Sequence, residues 1–229
     1  MRLLKLALAP MAAAAMMAIS VPASAAEQSW LLDVWGGSGN PGAGPWGTVV
    51  ATTNGANEID VTVTLTIPPS VGFVNTGGHT PFSFSLSDTA TAAVTVLTTG
   101  FSVGSPPPFP NPEFGNFTNG IVCSGDPSPS GCGNGGNSPN PGPLSFKIVD
   151  SSFSIANPIG FGIFINSTGG SLSSPFAADI LANGFTGAVG TSNTPAIPEP
   201  ETYAMMLVGF GLLGFVARRR RQSGNVVPA

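Results

Sequence analysis

The sequence predicts an all-β fold, an antiparallel β-sandwich, on three observations. Apolar and polar residues alternate strictly over residues 58–67, which is typical of a half-buried strand. The same alternation recurs in short segments separated by turn residues, as it does in β-sandwich sequences. Finally, 13 of the 15 phenylalanines lie between residues 26 and 197, which is ample aromatic volume for one core.

The predicted strands follow one another along the chain with little helical periodicity between them. They are expected near residues 29–35, 48–53, 58–67, 82–86, 94–96, 146–148, 153–155, 161–165 and 185–189. Residues 176–181 are the one candidate for a short helical turn. These elements together predict a single sandwich domain over residues 26–190.

Residues 102–143 interrupt the pattern with ten prolines and nine glycines in 42 residues. A stretch of this length without strands is usually a functional loop or a flexible insertion in a compact domain. Its apolar residues are sparse and aperiodic. We therefore expect an irregular loop insertion that is dispensable for folding.

The N-terminus has the three parts of a secretory signal peptide. Arg2 and Lys5 supply the basic start, residues 6–21 are apolar, and Ala23 and Ala25 provide the small side chains for cleavage. We expect residues 1–25 to be removed by signal peptidase. The domain that follows is then exported.

Export determines how the two cysteines are interpreted. Cys123 and Cys132 both fall within the 102–143 interval, with eight residues between them. In an exported protein such a pair is most simply a disulfide. A metal site or a redox pair fits poorly, because no histidine lies nearby and the spacing is not Cys-x-x-Cys.

The C-terminal part combines a short motif, an apolar run and a basic cluster. The apolar run, residues 203–217, has no charge in fifteen residues and would be about 22 Å long as a helix. That is short for a bilayer core of about 30 Å, but flanking arginines can extend it by snorkelling. A buried core helix is the alternative, which a run of four arginines does not suit. The motif and the cluster are Pro198, Glu199, Pro200 and Arg218, Arg219, Arg220, Arg221.

This arrangement, over about residues 197–221, resembles the PEP-CTERM sorting signal of Gram-negative bacteria that make extracellular polysaccharide. The resemblance implies that exosortase, a transpeptidase-like membrane enzyme, recognises Pro198, Glu199 and Pro200 and processes the chain near them. It also implies that the four arginines stop transfer at the inner membrane, with residues 222–229 as a cytoplasmic tail. That tail departs from the family, which usually ends soon after the arginines. Residues 191–197 are interpreted as a spacer.

The charge of the exported part excludes one class of partner. Lys147 is its only basic residue against nine acidic ones, so its net charge is near −8 although that of the whole chain is −4. Such a domain lacks the basic surface that binds phosphate backbones, and we exclude nucleic acid as a partner.

Catalytic and metal chemistry have little support in the sequence. His79 is the only histidine, and we expect it to be exposed in a turn. No nucleophile elbow accompanies it, and one histidine cannot supply a zinc site. The acidic residues are scattered singly and match no calcium-binding loop. We therefore expect no catalytic residues, no metal and no cofactor.

The sequence favours a non-catalytic, exported cell-surface or extracellular-matrix protein, transiently anchored by its C-terminal helix before release. The resemblance links such proteins to biofilm or exopolysaccharide, which is a further candidate partner beside exosortase and signal peptidase. The alternative is a carbohydrate-binding module or carbohydrate-active enzyme with a groove near Trp30, Trp35 and Trp46. Core packing is the favoured interpretation of these three side chains.

Overall fold

The computed structural model describes residues 27–54, 57–66, 71–87, 92–124, 132, 138–150, 163–192 and 210. These residues confirm the predicted all-β class. The strands are β1 (Glu27–Trp35), β2 (Gly47–Thr53), β3 (Glu58–Leu65), β4 (Gly72–Phe73), β5 (Phe82–Phe84), β6 (Ala93–Val96), β7 (Phe101–Val103), β8 (Phe109–Asn111), β9 (Gly115–Phe117), β10 (Asn119–Cys123), β11 (Leu144–Val149), β12 (Thr168–Gly169), β13 (Phe176–Ala182) and β14 (Phe185–Thr191). Among the described residues, no helix has the length and apolar character that a membrane crossing requires.

Eleven of these strands form one antiparallel sheet in place of the two face-to-face sheets of a sandwich. Its order is β6-β11-β3-β2-β1-β14-β13-β5-β10-β7, with β4 paired to β13. The edge strands β6 and β7 lie next to each other, so the sheet wraps around its core and nearly closes. Alternation could not distinguish the two arrangements, because both bury one face of every strand.

Strand β3 shows how the alternating pattern produces the buried face. Ile59, Val61 and Val63 are buried, whereas the intervening Asp60 and Thr62 are only partly buried. The neighbouring strands β2 and β11 are in antiparallel register with β3 and alternate in the same way. The apolar faces therefore merge into one continuous core.

Aromatic rings fill the centre of that core. Phe84 and Phe146 are stacked with their ring centroids 5.1 Å apart, and the Trp30 and Phe176 centroids are 4.9 Å apart. Phe164, which bridges to Leu86 outside the named strands, packs on Trp30 and Phe176. Two strands were predicted in this part of the sequence. In the described part of 161–165, residues 163–165, the structure shows only the bridge at Phe164. The predicted strand 153–155 lies outside the described residues.

The expectation of a helical turn at residues 176–181 is wrong. These residues belong to β13, which lies between β14 and β5 and is buried on both faces. A strand covered on both sides has a continuous apolar run, and such a run does not reveal its period. Asn183 and Gly184 connect β13 to β14 with φ values of 51° and 83°, the left-handed pair that a tight hairpin turn requires.

The expectation of an irregular loop at residues 102–143 is also wrong for the first half of that interval, and residues 125–131 and 133–137 lie outside the described residues. This interval contains β8, β9 and β10 and the end of β7. Strand β10 is part of the main sheet between β5 and β7, and β8 and β9 join β12 in a separate three-stranded sheet. We call this three-stranded unit the small sheet.

The small sheet covers the outer face of β13 and β14. Phe109, Phe114 and Phe117 are buried there with Ala177 and Ala188, forming a second apolar cluster. Because Ala177 alternates with the core-facing Phe176 and Ala178, the two clusters lie on opposite faces of the same strand. The sequence pattern missed this cluster because its rings pack against glycine and alanine and do not alternate along long strands.

Candidate functional site

Several of the predicted sites lie outside the described residues. These are the signal-cleavage residues Ala23 and Ala25, the sorting motif Pro198, Glu199 and Pro200, and the cluster Arg218, Arg219, Arg220 and Arg221. Their roles stay predictions from the sequence.

The predicted disulfide between Cys123 and Cys132 is confirmed. The two Cα atoms are 5.5 Å apart, and their sulfur atoms are bonded. Cys123 ends β10, and Cys132 is buried in the main core. The bond therefore attaches part of the 102–143 interval to the core itself.

The tryptophans do not form an exposed groove. Trp30 and Trp46 are 8% and 7% exposed and belong to the main core, which confirms the core-packing interpretation for both. Trp35 is half-buried, with its ring centroid 5.6 Å from that of Trp46. A sugar-stacking surface needs ring faces open to solvent, and these positions do not provide one.

The structure places His79 in a cluster that the sequence did not predict. His79 lies in the expected turn, where its backbone N–H donates to the Thr76 carbonyl at 3.0 Å. The expected exposure is wrong, because the side chain is only 17% exposed. Its Nε2 lies 3.3 Å from Glu113 Oε2, and its Nδ1 lies 3.5 Å from Asp179 Oδ1.

Asp179 is the fully buried member of this cluster. It belongs to β13 and projects from the same face as Ala177, beneath the turn that contains His79. Its Oδ2 accepts hydrogen bonds from the Thr76 backbone N–H and from Thr76 Oγ1 at 2.6 Å. Among the described residues, the His79 ring is the one group placed to donate to its Oδ1.

Glu113 brings the small sheet into the cluster. It lies in the turn of residues 111–114 that connects β8 to β9. Its Oε2 is likewise buried, with no further hydrogen-bond donor in the part of the chain that the structure describes. The Glu113 carbonyl accepts hydrogen bonds from Leu172 N at 2.9 Å and Ser171 Oγ at 3.3 Å. The carboxylate and the backbone of this residue therefore connect three parts of the fold.

The two carboxylates favour a charged imidazolium. The hydrogen bond with Asp179 is the main cause that raises the pKa of His79 above 6.5, and the charges of Asp179 and Glu113 act in the same direction. Burial of the ring opposes them by penalising its charged form. In the exported part, His79 and Lys147 are the only candidates for positive charge, and Lys147 lies 3.3 Å from Glu58 on another part of the sheet.

Thr76, His79 and Glu113 resemble the nucleophile, base and orienting acid of a catalytic triad in residue type and proximity. Their hydrogen bonds, however, run in a different direction from those of a triad. Thr76 Oγ1 donates its single proton to Asp179, so at His79 Nδ1, 3.2 Å away, it can only accept. A nucleophilic hydroxyl must instead donate to its base. The arrangement thus suits a structural ion cluster.

Metal binding has no matching donor set in the part of the chain that the structure describes. No group of three or more His, Cys, Asp or Glu side chains is positioned there to hold a metal ion. In the His79 cluster, the imidazole ring occupies the position between two carboxylates that a cation would take.

One signal in the sequence could have revealed the cluster. Asp179 interrupts a strongly apolar run, Phe176–Ala182, and a carboxylate buried in such a run requires a cation or several hydrogen-bond donors. Only Lys147 and His79 could supply a charge in the exported part. If a cation compensates Asp179, its partner is therefore either His79 or Lys147.

A carboxylate outside the His79 cluster, that of Asp33, binds the residue that follows the last strand of the domain. Asp33 on β1 accepts hydrogen bonds from the Ser192 backbone N–H and Ser192 Oγ, both at 2.8 Å. Ser192 directly follows β14. Thr191 and Ser192, the first two residues of the predicted spacer 191–197, thus belong to the folded domain, because Thr191 ends β14 and Ser192 is attached to β1.

The comparison with protein families concerns the region that begins a few residues after Ser192. Residues 196–221 match the family described as a PEP-CTERM protein-sorting motif. The C-terminal segment carries this sorting motif. No curated protein and no solved structure matches the chain. The motif confirms the resemblance found in the sequence and implies an exported protein that exosortase processes and that is sorted to the cell surface.

Proposed function

We propose that this protein is a non-catalytic component of the cell surface or extracellular matrix, delivered by its PEP-CTERM motif and associated with biofilm or exopolysaccharide. The motif at residues 196–221 is the observation that carries the proposal. The signal-peptide pattern at residues 1–25 is consistent with it, because a chain must enter the export pathway before a C-terminal signal can act.

The chemistry of the described domain supports a non-catalytic role. The His79 imidazole, the natural candidate for a general base, is held between Glu113 and Asp179 and is best used as their counter-ion. Trp30 and Trp46 are committed to the core, so the carbohydrate-active alternative draws no support from them. An acidic all-β domain is well suited to display.

The end of the domain suits processing at the membrane. The hydrogen bonds between Asp33 and Ser192 attach the residue after β14 to β1, a few residues before Pro198 in the sequence. In this proposal residues 193–197 separate the domain from the bilayer. The processing enzyme would then reach Pro198, Glu199 and Pro200 without unfolding β14.

Deletion of the host's exosortase tests the proposal. In the parent strain we expect the protein in the medium or in a surface fraction that added protease can digest. In the deletion strain we expect it in the inner membrane, longer by the unprocessed C-terminal segment. A reporter fused after Ala229 should then be cytoplasmic, because four arginines resist translocation.

The matrix association needs a separate test. Exopolysaccharide purified from the parent strain should retain the processed protein through a high-salt wash, and a strain lacking the polysaccharide should release it to the medium. Equal release from both strains would contradict the matrix association and leave the sorting proposal intact. Identical fractionation with and without exosortase would contradict the sorting proposal.

A further inference from the structure

We propose that protonated His79 acts as a latch that holds the turn of residues 111–114 on the outer face of the main sheet, and that loss of the proton releases this turn. The latch would regulate access to the apolar cluster beneath the small sheet. It is independent of the sorting signal.

The geometry of the latch joins three separate elements. His79 comes from the turn after β4, Glu113 from the turn between β8 and β9, and Asp179 from β13. Glu113 and Asp179 are the charged groups that face the ring from the elements packed against it. The His79 side chain contacts both Glu113 and Asp179 and so joins the turn of residues 111–114 to β13.

The protonation state of the His79 imidazole determines whether the latch is closed. An imidazolium has two N–H groups, whereas a neutral ring has one N–H and one lone pair. In His79 the Nε2 side faces Glu113, and the Nδ1 side faces both Asp179 Oδ1 and the Thr76 hydroxyl oxygen. Asp179 Oδ1 and Glu113 Oε2 are buried and have no hydrogen-bond partner among the described residues, so the His79 ring, 3.5 Å and 3.3 Å away, is the group that compensates their charge. In the neutral form one of these oxygens loses its partner, which is costly for a buried acceptor. The asymmetry favours loss of the contact with Glu113, which is 29% exposed and can turn to water, whereas Asp179 is fully buried.

Release of Glu113 would uncover a defined surface. The adjacent Phe114 is fully buried and, with Ala177 and Ala188, belongs to the second apolar cluster. Strand β8 would stay in place, since Thr80 N donates to the Pro110 carbonyl at 2.9 Å and Asn111 Nδ2 donates to the Thr80 carbonyl at 3.3 Å. The opening is therefore local to the turn and to Leu172, whose N–H donates to the Glu113 carbonyl.

Hydrogen exchange of the full chain in detergent tests the latch. Exchange is followed by mass spectrometry from about pH 5.5 to pH 9 and corrected for the intrinsic pH dependence. We expect peptides that contain Phe114 and Leu172 to lose protection severalfold as His79 deprotonates. Peptides from β2 and β3, which lie far along the sheet, should keep theirs over the same range.

Two variants separate the latch from ordinary pH effects. His79→Gln cannot titrate, so the protection of the Phe114 and Leu172 peptides, corrected for intrinsic exchange, should not depend on pH. Glu113→Gln changes only the partly exposed partner and should also abolish the pH dependence of the turn, which keeps a test available if His79→Gln does not fold. The proposal is overturned by pH-independent protection in the wild type, by an unchanged pH dependence in either variant, or by a parallel loss of protection in β2 and β3.

Discussion

The ring of Phe114 occupies the space that a side chain at position 190 would need, and Gly190 provides that space by having none. A Cβ atom built on Gly190 would collide with the Phe114 ring. Gly36 gives the same ring room on its other side, where an added Cβ would lie 2.9 Å from Phe114 Cε2. Backbone without side chains thus lets an aromatic ring of the small sheet lie directly on the main sheet.

Replacing Phe114 by alanine should therefore lower the free energy of unfolding by about 3–5 kcal/mol, because a fully buried phenylalanine leaves a cavity. Phe185→Ala is the matched control, since that ring is 41% exposed and its loss should cost less than about 1 kcal/mol. Urea denaturation measures both. Equally small effects would mean that the small sheet contributes little to folding, as the sequence alone had suggested.

Stability should depend on pH through His79. Its pKa in the folded protein is raised above 6.5, so its contribution is complete below the unfolded value and is lost as pH rises through the folded value. The free energy of unfolding should then decrease from about pH 6.5 upward. His79→Gln should remove this decrease. Stability of the wild type that stays constant or rises over the same range would contradict the charged cluster.

The two carboxylates should not contribute equally to the pKa of His79. The hydrogen bond with Asp179 is its largest cause, and the contributions of Glu113 are smaller. Proton NMR of the single imidazole should show a larger fall in pKa for Asp179→Asn than for Glu113→Gln. The reverse order would show that Glu113 is the dominant partner.

Removing the disulfide should destabilise the domain without unfolding it. Closing a ring with a sequence separation of 9 is worth about 2–3 kcal/mol in the chain-entropy account. For a domain of this size, the Cys123→Ser, Cys132→Ser variant should melt about 5–10 °C lower than the wild type. Reductant should lower the melting temperature of the wild type by a similar amount and leave that of the variant unchanged. An unfolded variant would show that the Cys132 region carries more of the core than one bond.

The sequence could predict those parts of the fold in which the alternation of apolar and polar residues within a single strand is sufficient. Residues 58–67 predicted β3 correctly because one face of the strand is buried and the other is more exposed. The polarity of each residue therefore indicates the face on which it lies. Strand β13 could not be recognised in this way, since both its faces are covered. Closure of the sheet was hidden as well, because it depends on how β6 and β7 meet and not on either strand alone.

The His79 cluster was missed for a related reason. His79, Glu113 and Asp179 are separated by long stretches of sequence, and only the folding of the small sheet over β13 brings them together. The prediction that 102–143 is a loop removed Glu113 from consideration. By contrast, the PEP-CTERM motif could be recognised because its parts are contiguous.

Comparison of Glu199→Ala with Glu201→Ala tests the central claim most directly. Both variants remove one carboxylate, but only Glu199 belongs to the Pro198-Glu199-Pro200 motif. After cell fractionation and immunoblotting, Glu199→Ala should be retained uncleaved in the inner membrane, while Glu201→Ala should reach the surface at its processed length. Normal processing and release of Glu199→Ala would contradict recognition of this motif and, with it, the proposed route to the cell surface.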